Sequence, residues 1–78
     1  MTARFTEAGR TRVNNERTIP LERYQEDGCE DRAEYMEMLA EDHGISLREV
    51  LAIADLLGPE EDFDGLVCHC QDRSDGFL

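Results

Sequence analysis

The stretch that decides the fold runs from Glu30 to Leu57: Glu30-Asp31-Arg32-Ala33-Glu34-Tyr35-Met36-Glu37-Met38-Leu39-Ala40-Glu41-Asp42-His43-Gly44-Ile45-Ser46-Leu47-Arg48-Glu49-Val50-Leu51-Ala52-Ile53-Ala54-Asp55-Leu56-Leu57. At roughly 100° per residue, Ala33, Met36, Leu39 and Ala40 gather on one face of a first long helix, with Tyr35 at its flank. That helix is expected over 30–43. Gly44 follows as a left-handed C-cap, and Ile45 is placed to touch Leu39 or Ala40, as that cap prefers. A second helix starts at once. Ser46-Leu47-Arg48-Glu49 is a capping box, and Ile45 and Val50 are spaced as the accompanying hydrophobic staple. Leu47, Val50, Leu51, Ile53, Ala54, Leu56 and Leu57 cover most of the circumference. This predicts a helix that is central in its fold or buried against another chain. Gly58-Pro59 ends it.

Outward from this pair, Phe63, Leu66, Val67 and Cys70 recur at i, i+3, i+4 and i+7 and predict a third helix starting near Asp62. Glu60, Glu61, Asp62 and Asp64 lie at its N-terminus, where the helix dipole favours negative charge. Upstream, residues 20–26 read as one short turn of helix, with Pro20 at the start and Leu21 and Tyr24 on one face. Residues 1–17 carry Phe5 and Val13 as isolated large apolar side chains, with Gly9 and Asn14-Asn15 as breakers. Such a segment buries too little surface to offset its chain entropy, and beyond a short hairpin across Ala8-Gly9-Arg10 it offers no structure. The expected fold is therefore all-α: a small three-helix domain with a helix-turn-helix-like pair and a flexible N-terminal arm. Its parts are a basic arm over 1–17, an acidic helical domain over 18–72 and a tail over 73–78.

Composition narrows the function classes. The chain has 78 residues, enough for one small domain, and carries eight Arg, no Lys and nineteen carboxylates for a net charge of −11. The charge is uneven: residues 1–21 sum to +2 and residues 22–78 to −13. So acidic a body disfavours nucleic acid and anionic membrane surfaces as partners. No run approaches the ~18 apolar residues that span a bilayer, and no secretory h-region is visible. Cys29, Cys68 and Cys70 are an odd number, which argues against a disulfide framework and for a reduced, cytoplasmic setting.

Four constellations bear on chemistry. Ala40, Gly44 and Val50 stand at helix-turn-helix offsets: a small residue, a turn glycine and an apolar anchor. A recognition helix needs Arg, Lys, Asn or Gln for base edges, but the second helix exposes Arg48, Glu49, Ala52 and Asp55, so direct nucleic-acid binding is not expected. Glu30, Glu34, Glu37 and Glu41 form a carboxylate row within about a 60° arc, and Met38 projects between Glu34 and Glu41 as an interface anchor. Such a row reads either as a solvated face or as a surface for a basic protein groove, imitating the charge row of a nucleic acid. Glu60-x-Asp62-x-Asp64-Gly65 resembles part of a calcium loop, but Gln71 stands where the bidentate glutamate belongs. Cys68-His69-Cys70 has zinc-ligand chemistry, but consecutive helical residues point apart and no second ligand pair follows. The expected outcome is Cys70 buried, with Cys68 and His69 more exposed. No catalytic residue, metal ligand or cofactor site is assigned, and an enzyme is not expected.

The blocks Asp31-Arg32-Ala33-Glu34-Tyr35-Met36-Glu37-Met38-Leu39-Ala40-Glu41-Asp42-His43-Gly44 and Ala54-Asp55-Leu56-Leu57-Gly58-Pro59-Glu60-Glu61-Asp62-Phe63-Asp64-Gly65-Leu66-Val67 look like small acidic helical proteins of phages and mobile elements in gut bacteria. The resemblance covers residues 18–67. More loosely, size and acidity resemble anti-CRISPR proteins as a class, several of which block nucleic-acid sites on effector complexes. That resemblance implies a protein-binding module inhibiting a host nucleic-acid-binding complex through a basic groove, and it carries over no site residues. From the residues themselves, the contact surface expected is Glu30, Glu34, Glu37, Met38 and Glu41. Two alternatives stand beside it: a helix-turn-helix DNA-binding regulator, and a self-associating protein that forms a homodimer through the second helix.

Overall fold

Residues 5–75 are described by a computed structural model, and they fold as α-helices with no strand among them. The order is α1 (Glu7–Asn15), α2 (Leu21–Glu26), α3 (Arg32–His43), α4 (Leu47–Leu57), a 3-10 turn (Pro59–Glu61) and α5 (Gly65–Asp75). The all-α reading and the helix-turn-helix-like pair, α3 and α4, stand. Asp31 caps α3 by accepting from the Glu34 N–H at 2.9 Å. Gly44 ends it with φ 65° and ψ 31°. The Gly44 N–H bonds the Glu41 carbonyl at 3.3 Å and the Ile45 N–H the Ala40 carbonyl at 3.1 Å. This is the double bond pattern of a Schellman cap, and it needs a left-handed residue at that point. The chain therefore reverses within two residues, and Ser46 caps α4 by accepting from the Glu49 N–H at 3.1 Å.

α3 is the centre of the fold. It packs on α4, α5, α1 and α2. Ala33, Tyr35, Met36, Leu39 and Ala40 are buried on it, and Val50, Ala54, Leu66 and Cys70 meet them from α4 and α5. Its N-terminal end is polar and equally buried. Arg32 is 3% exposed and Asp62 0%. Arg32 donates from Nε to Asp62 Oδ2 at 2.7 Å and from Nη2 to Oδ1 at 3.2 Å. The Tyr24 hydroxyl donates to the same carboxylate at 2.6 Å, and the Tyr35 hydroxyl donates to the Asp62 carbonyl at 2.8 Å. Arg32 also donates to the Val13 carbonyl at 3.1 Å. Tyr24, Tyr35 and Phe63 cluster above this group with ring centroids 4.6–5.3 Å apart, and the Arg23 guanidinium lies 4.2 Å over the Phe63 ring.

Three expectations need correction. Residues 7–15 are not a mobile arm or a hairpin but a helix, capped by the Thr6 side chain accepting from the Gly9 N–H at 3.1 Å. What docks it is polar rather than apolar. Arg10 pairs with Asp31 at 3.1 Å, the Asn14 carbonyl oxygen accepts from the Ala33 N–H at 3.0 Å, and its amide donates to Asp31 at 3.2 Å. Only Val13 of α1 is buried. The basic stretch thus lies against the acidic body. Second, the last helix begins at Gly65 rather than near Asp62, because residues 59–61 form a 3-10 turn that drops Asp62 inward onto Arg32. Its first N–H is capped by Glu61 at 3.2 Å. Helix then continues past Cys70 as far as Asp75, into the expected tail. The Glu49 carboxylate, which faces the Ser46 N–H across the capping box as expected, also reaches Arg73 on α5. Third, of the two placements expected for α4, central in the fold or buried against another chain, the first does not hold. Val50 and Ala54 are buried, Leu47, Leu51, Ile53 and Leu57 are half-buried, and Ala52 and Leu56 are exposed. The expected placement of Met1 to Arg4 and of Gly76 to Leu78 lies outside the described residues.

Candidate functional site

The carboxylate row is laid out by α3. Asp31 at the N-cap and Gly44 at the C-cap fix the helix ends, and the buried side of α3 fixes its rotation, so residues 34, 37 and 41 face away from the core. Glu34, Glu37, Met38 and Glu41 line one open depression of about 280 Å³, with Gly28 and Cys29 from the loop before α3 as the rest of its wall. Glu30 is not part of it. It lies exposed in the turn ahead of α3, and its backbone N–H donates to the Glu34 carboxylate. Four of the five expected contact residues are thus brought together.

Met38 departs from its expected role. It is half-buried rather than projecting, and its Sδ lies 3.6 Å from Cys29 Sγ. Glu37 also does structural work: it accepts from the Phe5 N–H at 3.2 Å and so ties the chain ahead of α1 to α3. Among the described ion pairs, none involves Glu34, Glu37 or Glu41. Sequence reasoning missed Gly28 and Cys29. Asp27-Gly28 signals a turn, and Gly28 does take φ 87°, but nothing local reports that the turn folds back beside α3.

The chemistry of the depression is that of an acceptor surface. Burial raises the Cys29 thiol above its ordinary range, and the charges of Glu34, Asp27, Asp31 and Asp42 raise it further. The thiol therefore stays protonated, which is the opposite of the environment that activates a cysteine nucleophile. Cys70 is likewise raised by burial. Cys68 is exposed and Cys70 buried, as the helical stripe required. Among the described residues no three His, Cys, Asp or Glu side chains stand together in a way that would hold a metal ion. The calcium-loop pattern has a specific structural fate: both Asp62 carboxylate oxygens are taken, by Arg32 and Tyr24.

A second depression of about 360 Å³ lies between α1 and α4, lined by Phe5, Ala8, Gly9, Arg12, Val13 and Leu51. Next to it, the face of α4 that a recognition helix would offer to DNA presents Arg48, Ala52, Asp55 and Leu56. Among the described residues no helix is long and apolar enough to cross a membrane. The chain matches no protein-family model, no curated protein and no solved structure.

Proposed function

We propose that this chain is a small acidic protein-binding module whose α3 surface occupies a basic, nucleic-acid-binding groove of a host complex, in the manner of an inhibitor carried by a phage or mobile element. The observation that carries the reading is the convergence of Glu34, Glu37 and Glu41 around one open depression with Met38 and Cys29 in its wall. The three carboxylates span about 10 Å of helix axis, one charge every ~5 Å. Phosphates recur every ~3.4 Å of rise along one DNA strand. The row is therefore a regular line of negative charge, about one and a half times more widely spaced than the strand such a groove binds. The half-buried Met38 thioether, seated on the buried Cys29, adds apolar contact that phosphate lacks, and contact of that kind separates a specific protein interface from bare charge attraction.

The test is capture of proteins from a bacterial host lysate on the immobilised chain, followed by elution with salt or with duplex DNA. A nucleic-acid-binding complex that is retained and released by DNA supports the reading. Retention that DNA leaves untouched contradicts it. Direct retardation of DNA by the chain would replace it with the helix-turn-helix regulator.

A further inference from the structure

The side of α4 turned away from the core carries Arg48, Ala52, Asp55 and Leu56, all exposed. Leu56 is 82% exposed, a state no other large apolar side chain shares among the described residues. At roughly 100° per residue the four occupy an arc of about 100°. Ala52 sits near the middle of this strip, with Arg48 a turn before it and Asp55 and Leu56 a turn after it. The strip is therefore self-complementary. Two such helices crossing antiparallel on a two-fold axis at Ala52 set Arg48 of each copy opposite Asp55 of the other. The small Ala52 side chains let the two backbones approach, and each Leu56 is covered by the facing helix on the other flank of the seam.

We propose that this face is an interface between two copies of the chain, with α4 antiparallel to α4 across Ala52. Charge decides for a second copy over other occupants. The chain as a whole is at −11, yet Arg48 and Asp55 cancel on this strip. Glu49 at its margin is already neutralised by Arg73. Two strongly acidic copies can therefore meet here without stacking like charges. The surface also continues past α4. Arg12 lies 3.8 Å from Asp55 and lines the apolar depression with Phe5, Ala8, Val13 and Leu51. A contact limited to this area sits at the small end of specific interfaces, so the association is weak and reversible. It shares no residue with the α3 depression, so a dimer displays that surface twice, and the inference stands whether or not α3 binds a partner.

Sedimentation equilibrium of the full chain tests it. The wild type shifts from monomer to dimer across the micromolar range, and Leu56→Glu stays monomeric over that range with an unchanged helical spectrum. Arg48→Glu and Asp55→Arg each weaken association by about tenfold or more through like-charge contact, and the two together restore it. In a Cys68→Ser background, Ala52→Cys forms a disulfide between copies on mild oxidation, because identical residues meet only at the axis, whereas Glu60→Cys does not. A wild-type monomer throughout, a dimer indifferent to Leu56→Glu, a charge swap that fails to restore, or no cross-link at Ala52→Cys overturns the proposal.

Discussion

Arg32 and Asp62 lie thirty positions apart and form a two-bond ion pair from which water is excluded. The pair joins the start of α3 to the turn before α5, and Tyr24 and Tyr35 close it from α2 and α3. Removing one partner of a buried pair leaves the other charged and unsatisfied, at a cost of about 3–5 kcal/mol. A chain of this length has a total stability of about 4–12 kcal/mol. Asp62→Ala and Arg32→Met are each expected to lose most of the fold in urea titrations. The double variant Arg32→Met/Asp62→Leu removes both charges and is expected to recover most of the loss. Equal instability of single and double variants would contradict this account.

The two tyrosines are the only ones in a chain without tryptophan, so phenolate absorbance reports on them alone. Burial raises the Tyr24 hydroxyl above its ordinary value, and the hydrogen bond to Asp62 raises it further. Burial also raises Tyr35, followed by the charges of Asp27 and Asp62. The ordinary value is about 10. Keeping these groups neutral contributes stability that is fully present below that pH and is lost as pH climbs towards the folded-state values. Phenolate should therefore appear late, together with loss of helix. Ionisation near pH ~10 with the helices intact would show the hydroxyls to be solvated.

Asn14 satisfies one of the free N–H groups at the start of α3 while bonding Asp31. Asn14→Ala should cost about 1–2 kcal/mol in chemical denaturation, as the loss of a helix cap does. It should also speed tryptic cleavage after Arg10 and Arg12, which the docked helix otherwise slows. Wild-type cleavage there at the rate of a free peptide would mean that α1 does not dock.

Gly44 has φ 65°, and a Cβ placed on it meets nothing within 4 Å. The cost of Gly44→Ala is therefore backbone strain alone, about 1–2 kcal/mol. Thermal unfolding should show that loss for alanine and a smaller one for asparagine, which tolerates the left-handed region better. Equal losses would point to a packing cause instead.

The parts of this fold legible in the sequence are those written by local rules. The period of Ala33, Met36, Leu39 and Ala40, the glycine at 44 and the serine at 46 each act within a few residues, and α3 and α4 followed from them. Thr6 caps α1, but a single buried Val13 gives that helix no periodic stripe. The contacts that hold α1 run from Arg10 and Asn14 to residues beyond position 30, and nothing local to 1–17 announces them. Asp62 was misread for the same reason: among Glu60, Glu61 and Asp64 it looks like one more solvated carboxylate, and only its distant partner distinguishes it. Of the candidate surface, Glu34, Glu37, Met38 and Glu41 were legible from helical spacing. Glu30 fell away because α3 begins after it, and Cys29 entered through a loop path that spacing does not encode.

The central claim is that the α3 carboxylates form a contact surface for a basic partner. Its most direct measurement is lysate capture with the wild type beside Glu34→Arg/Glu37→Arg/Glu41→Arg, with helicity checked by circular dichroism. The account predicts that the variant keeps its helices and loses the captured nucleic-acid-binding partner. Capture of the same partner at the same yield by the charge-reversed chain would contradict it and leave the row a solvated face.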